Sequence, residues 1–109
     1  MKNEESINRI ELRGIVGSQR ISSVGDVKMI MFSVATNHVY NSKEGASPFI
    51  ETTWFQCVAM DKDFNLEDER FRKGNVIHIE GRLRSQRYTN GTGGDINVYV
   101  VIVSKIFDE

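Results

Sequence analysis

Arg82, Arg84 and Tyr88 occupy alternate positions of one run, Val76–Tyr88 (VIHIEGRLRSQRY). Side chains alternate across a strand, so Ile77, Ile79, Gly81 and Leu83 share one face, and His78, Glu80, Arg82, Arg84, Gln86 and Tyr88 share the other. The first face is core. The second is cationic and ends in an aromatic ring. Guanidinium groups neutralise phosphates and flat rings stack on bases, which is the chemistry an unpaired polynucleotide requires. An ordinary half-exposed strand with solvated charges has the same pattern, so other segments must decide. Two further rings bear on the choice. Trp54 lies in Thr52–Met60 (TTWFQCVAM), on a face with Thr52, Gln56, Val58 and Met60 and opposite Thr53, Phe55, Cys57 and Ala59. Tyr40 lies in the segment just before it.

Catalytic and metal chemistry find little support. Asp61 and Asp63 flank Lys62, but they stand where the start of a helix attracts carboxylates. His38 and His78 have no cysteine or carboxylate at ligand spacing. There is no strand-turn-helix nucleophile elbow and no phosphate-cradling glycine motif, and Gly91, Gly93 and Gly94 read as a hairpin turn. Neither an enzyme, a metal nor a cofactor is expected.

The chain has 109 residues, 39% apolar and 27% charged, which places it as one globular domain, 1–109, able to close a core without disulfides. No apolar run has the length of a membrane span, and Met1–Ile10 lacks the apolar centre of a signal peptide, so a cytoplasmic protein without membrane contact is expected. Cys57 is the single cysteine and sits in an apolar strand, as a buried thiol would. The net charge of −1 speaks against a polyanionic partner, yet its distribution matters more than its sum. Between Arg70 and Arg87 six basic residues (Arg70, Arg72, Lys73, Arg82, Arg84, Arg87) face one acid, Glu80, while the other acids gather in Asp61–Glu69 and at both ends.

These runs need a scaffold. Ile7–Arg20 alternates and carries Gly14 and Gly17, a sign of a bulged or bent strand. Ser22–Asp26 is a turn, and Val27–Thr36 is a second strand with Ile30, Phe32 and Val34 opposite Met29, Met31, Ser33 and Ala35. Asn37–Glu51, with the only Pro, reads as a long exposed loop holding Tyr40. Thr52–Met60 is strand three. Asp61–Lys73 (DKDFNLEDERFRK) has early acids, late bases and Gly74 beyond, and predicts a short capped helix. Val76–Tyr88 is strand four, Thr89–Asp95 its turn, and Ile96–Phe107 an almost wholly apolar strand five, expected to be covered on both sides. The order β, β, β, α, β, β predicts an all-β fold: a five-stranded Greek-key barrel of the oligonucleotide-binding (OB) type, with one short helix between strands three and four. In such a barrel the groove crosses the middle strands, so Tyr40, Trp54 and Tyr88 can line one path.

With these pieces in place, the chain closely resembles the bacterial single-stranded DNA-binding protein family from about Asn8 to Ile106. The carriers are NRIELRGIVG (Asn8–Gly17), FSVATNHVY (Phe32–Tyr40), TTWFQCVAM (Thr52–Met60), FRKGNVIHIEGRLRSQRY (Phe71–Tyr88) and TNGTGG (Thr89–Gly94). The resemblance implies sequence-nonspecific binding and protection of single-stranded DNA in replication, recombination and repair, by a homo-oligomer, a tetramer in preference to a dimer, in the cytoplasm at the nucleoid. It implies base stacking at Tyr40, Trp54, Met60 and Tyr88, with Gln56 beside them and Arg82, Arg84 and Arg87 on phosphates. Arg13, Lys28, Lys43 and Lys73 would extend the path. Tyr40 and Tyr88 stand where the family typically has Trp, Met60 where it has an aromatic ring, and Gln56 where it often has a base, departures that imply weaker binding per nucleotide. Family members usually continue into a flexible tail whose acidic, hydrophobic tip recruits replication and repair enzymes. Here Phe107 and the two acids Asp108 and Glu109 follow strand five directly and read as a frayed strand end, so a truncated or a tailless member is implied. An alternative is an accessory module like the primosomal replication protein, acting mainly through protein partners.

Overall fold

In a computed structural model, which describes residues 5–41, 45, 47–89 and 91–108, five strands close into one barrel. They are β1 (Ile10–Val24), β2 (Val27–Tyr40), β3 (Phe49–Met60), β4 (Val76–Thr89) and β5 (Asp95–Ile106), in the closed order β1-β2-β3-β5-β4. Every neighbouring pair is antiparallel except β3 with β5, which run parallel and meet only at Cys57–Val101 and Val58–Ile102. The expected barrel is therefore present, and no helix of the described residues is long and apolar enough to cross a membrane.

The inward faces follow from alternation. Leu12 and Val16, then Ile30, Phe32 and Val34, then Cys57 and Ala59, then Ile77 and Ile79, then Val101 and Val103 form one buried cluster, closed at one end by Leu66 and Phe71. Phe71 packs on Phe32 with ring centroids 5.2 Å apart. Burying apolar surface at roughly 25 cal/mol per Å² drives this closure. The bulge expected in the first strand occurs at Gly17, where the β1–β2 register slips between Val16 and Gln19.

Four expectations need correction. The loop foreseen at Asn37–Glu51 is at both its ends, Asn37–Tyr40 and Phe49–Glu51, an extension of the β2–β3 hairpin, paired out to Tyr40–Phe49. Here β-branched and aromatic residues (Val39, Tyr40, Phe49, Ile50) keep the ladder going despite the polar residues around them. The helix foreseen at Asp61–Lys73 shrinks to a 3-10 turn, Glu69–Phe71. Its short polar residues bond to nearby amides instead of leaving them to a helix: Asn65 Oδ1 accepts from Glu67 N–H at 3.1 Å, and Asp68 Oδ1 from Arg70 N–H at 2.9 Å. Arg70 returns two side-chain bonds to Asp68, which hold that carboxyl below its ordinary value. Phe107 and Asp108, the described residues after β5, are held in place: Phe107 stacks on His78 at 4.2 Å under the Lys105 ammonium, and Asp108 pairs with Arg70 at 3.0 Å. Strand five is covered on both faces only around Val100–Val103, since Ile96 and Tyr99 are exposed.

Cys57 is buried, and desolvation pushes its thiol from 9.0 up to about 12. The native state thus keeps this proton where the unfolded chain loses it, so the stability contribution is complete below about pH 9 and declines as pH rises from 9 towards 12. A disulfide reagent at about pH 8 is expected to leave the folded chain unmodified and to react fully once denaturant unfolds it. The unfolding midpoint should also fall more steeply above pH 9 than in Cys57→Ala. Native modification at the denatured rate would contradict the assignment.

Candidate nucleic-acid interface

The outward faces of β2, β3, β5 and β4 lie side by side because of the parallel seam. Opposite one another on β2 and β3 stand Ala35 and Trp54, Ser33 and Gln56, Met31 and Val58, Met29 and Met60. Across the seam Val58 meets Ile102, and on β5 and β4 the outward pairs are Ile102–Arg82, Val100–Arg84, Val98–Gln86 and Ile96–Tyr88. Alternation read from the sequence assigned the faces of β3 and β4 in this way.

Trp54 stands at one end of this surface with 55% of its area exposed, which a core indole would not have. Its underside rests on the β1 bulge. A Cβ built on Gly17 would lie 2.3 Å from the indole Cζ3 and 2.7 Å from Cη2, so only glycine lets the ring lie down there. The bulge is pinned below: Ser18 N–H donates to Ser33 Oγ at 3.0 Å and the two hydroxyls pair at 3.1 Å. Next along, a hollow of about 220 Å³ is lined by Ser18, Gln19, Arg20, Met31 and Gln56. It shares Met31 and Gln56 with a second hollow of about 270 Å³, lined also by Cys57, Val58, Gln86, Tyr88, Val98, Tyr99 and Val100. Tyr88 is half exposed, and its hydroxyl donates to Gln86 Oε1 at 2.8 Å, which fixes the ring over this second hollow. Beyond Val58 and Ile102 a wider basin of about 580 Å³ takes in Met60, Arg82, Arg9 and Lys62 along with Asp63 and Glu80.

The result is one trough, indole at one end and phenol at the other, with an apolar floor and guanidinium groups on its far wall. Among the described residues Arg82, Arg84 and Arg87 have no carboxylate partner, whereas Arg9 is paired with Glu80 at 2.8 Å. Trp54, Gln56, Met60, Arg82, Arg84 and Tyr88 are brought together here. Others are not. Arg87 pairs with Asn97 on the reverse face of the β4–β5 hairpin. Tyr40, opposite Phe49, is on the reverse face of the β2–β3 ribbon from Trp54, where His38 packs edge-on at 4.6 Å and Glu51 accepts its hydroxyl at 3.4 Å. Arg13 lines a separate hollow with Arg70, Val76, His78 and Phe107. Lys28 sits at the far end of β2, Lys73 in the exposed turn before β4, and Lys43 lies outside the described residues. Sequence reasoning overlooked Gly17, Met31, Val98 and Val100. For Met31 the signal was its place opposite Ile30 and Phe32; for Val98 and Val100 none exists without knowing that β5 adjoins β3.

Among the described residues no three His, Cys, Asp or Glu gather as metal ligands would. Asp61 and Asp63, assigned above to a helix start, lie instead in the turn after β3, where their N–H groups donate to Lys28 O at 2.9 Å and Met60 O at 3.1 Å.

Residues 7–107 match the Single-strand binding protein family. The chain belongs to that family. It is 25% identical over 104 residues to proteins named Single-stranded DNA-binding protein from Neisseria meningitidis serogroup A and from serogroup B, covering 93% of this chain in each case. The chain spans 59% of the length of these curated relatives. A solved structure titled Plasmodium falciparum SSB complex with ssDNA superposes with a TM-score of 0.80 at 26% identity, covering 98% of this chain and 100% of that one.

Gly17→Ala is expected to lift the indole from the bulge. Because Trp54 is the only tryptophan, the emission spectrum of the DNA-free protein reports this directly, as a shifted maximum and altered quenching by acrylamide, with the unfolding midpoint lowered only modestly. An unchanged spectrum would remove Gly17 from the support of Trp54.

Proposed function

We propose that this protein binds and protects single-stranded DNA without regard to sequence, laying the strand along the trough from Trp54 to Tyr88. The observation that carries the reading is the exposed indole packed against Gly17, beside adjoining hollows that lead to Tyr88. Each base stacked on a ring contributes roughly 1 to 3 kcal/mol, and every base has a face to offer, so such a track tolerates any sequence. Duplex DNA hides those faces and is refused. Met31, Val58, Val98 and Val100 give the bases an apolar floor, Gln56 and Gln86 offer hydrogen bonds to base edges, and Met60 adds a polarisable thioether where the trough opens into the wider basin. Arg82 and Arg84 neutralise phosphates from the β4 wall. Tyr40 stands past Trp54 on the ribbon's other face, and a strand reaches it by crossing the ribbon edge.

Replication, recombination and repair are the settings in which such a strand is exposed, and membership of the family supports placing the protein there. A homo-oligomer, a tetramer in preference to a dimer, would multiply the trough and let one strand pass over several copies. The family and the DNA-bound neighbour both support single-stranded DNA as the partner.

Titrating Trp54 fluorescence with oligothymidylates and with a matched duplex tests the proposal. Binding is expected for the single strand only, weakening with salt at a log–log slope of roughly −0.7 per phosphate neutralised. Trp54→Ala, followed by anisotropy of a labelled strand, should cost roughly 1 to 3 kcal/mol. Equal affinity for duplex, or no loss in the Trp54 variant, would sink the trough as the binding site.

A further inference from the structure

The β4–β5 hairpin has a second face that the trough leaves unused. Alternation puts Leu83, Ser85 and Arg87 of β4 there, with Asn97 and Tyr99 of β5. Inside the barrel this same parity is core, as Ile79, Val101 and Val103 show. Past the Leu83–Val101 pair the covering strands fall away. Pairing of β1 with β4 ends at Ile10–Gly81, followed only by Asn8 bridging the Leu83 backbone, and pairing of β3 with β5 ends at Cys57–Val101. Tyr99 is consequently 64% exposed, more than Trp54 or Tyr88, and its hydroxyl makes no hydrogen bond among the described residues.

A large ring held in water on a two-stranded ribbon contributes nothing to the core, and its neighbours indicate what it is suited to. Arg87 is the diagonal cross-strand neighbour of Tyr99, since Arg87 faces Asn97 and Ser85 faces Tyr99, a Cβ spacing of roughly 7 to 8 Å. Among the described residues Arg87 has no carboxylate partner; the one acid on this face, Asp95, is at the hairpin end and accepts from Thr89 Oγ1 at 3.3 Å. A flat ring beside an uncompensated guanidinium repeats the base-and-phosphate chemistry of the trough. Only the thickness of the ribbon separates it from Tyr88, whose ring lies on the trough side opposite Ile96.

We propose that Tyr99 and Arg87 form a second nucleotide subsite, so that a single strand leaving the trough at Tyr88 folds round the β4–β5 hairpin and stacks a base on the reverse face. The proposal rests on the single-stranded DNA reading and extends its path to Tyr99, a residue that borders the second hollow while its register opposite Ser85 puts its side chain on the reverse face.

The test compares Tyr99→Ala, Tyr99→Phe, Arg87→Gln and Trp54→Ala, each titrated with labelled oligothymidylates short enough to fill the trough alone and long enough to pass it. Tyr99→Ala is expected to weaken binding of the long strand by roughly 5- to 150-fold and leave the short one unchanged. Tyr99→Phe should bind as the parent does, and Arg87→Gln should flatten the salt dependence for the long strand by about 0.7. Long-strand affinity unaltered in Tyr99→Ala, or short and long strands weakened alike, overturns the subsite. So does a changed particle mass in sedimentation, which would mean that Tyr99 packs on another copy. If Trp54→Ala loses affinity and Tyr99→Ala does not, only the reverse face fails; if neither loses any, the trough fails with it.

Discussion

Two parallel residue pairs, Cys57–Val101 and Val58–Ile102, hold the rest of the architecture in place. Without them β1, which pairs with both β2 and β4, would leave an open five-stranded sheet with β3 and β5 as its two edges. The parallel seam closes the barrel and, because both strands run the same way, sends both hairpins out from the same end. It is sealed on each face: Cys57 and Val101 are buried inward, Val58 outward. The seam is short, so the ribbons part beyond it, and their outward faces become the two halves of a trough whose floor is the seam itself. Trp54 from one hairpin and Tyr88 from the other share a surface for that reason alone.

Close backbone approach sets where this surface is flat. At Gly81 a Cβ would sit 2.2 Å from the Ile102 carbonyl oxygen, so β4 can lie tight against β5 only with glycine there, and the wall carrying Arg82 and Arg84 is drawn against the floor. At Gly17 the same economy of volume serves the ring instead of the strand, since the β1 bulge passes beneath the indole. In each case a missing side chain on one strand positions a functional side chain on another.

Alternation made most of this legible. The faces of β3, and of β4 through Tyr88, emerge from the sequence as they stand in the structure, because period two is imposed by the backbone and survives any context. Applied one residue further, the same rule puts Arg87 opposite Tyr88, although charge alone groups it with Arg82 and Arg84. The ribbon at Asn37–Glu51 was obscured because glycine, serine and proline punctuate it, while the cross-strand partners that sustain it, Val39–Ile50 and Tyr40–Phe49, are separated in sequence. The helix between β3 and β4 failed for a local reason: Phe64 and Leu66 are two apart, a spacing that does not fall on one helical face, and Asn65 and Asp68 bond to the backbone around them. The apolar floor of the trough was illegible for a topological one. Nothing in Val98 or Val100 states that β5 will adjoin β3 instead of β2.

The charge balance explains how a chain of net charge −1 can present a cationic wall. Several of its acids are matched away from the trough: Asp68 and Asp108 with Arg70, Glu69 with Arg72, and Glu80 with Arg9 at the basin's rim. Exposed pairs of this kind contribute little to stability, but they remove those carboxylates from the field near the β4–β5 hairpin. The guanidinium groups of Arg82, Arg84 and Arg87 are left uncompensated among the described residues. Three such groups neutralise few phosphates, while the surface beside them offers rings at Trp54, Tyr88 and Tyr99 and an apolar floor. In the function proposed above, affinity on this physical ground comes chiefly from base faces, with charge steering the strand. That division of labour is what the proposed function asks for, since every base has a face to offer a ring whatever the sequence.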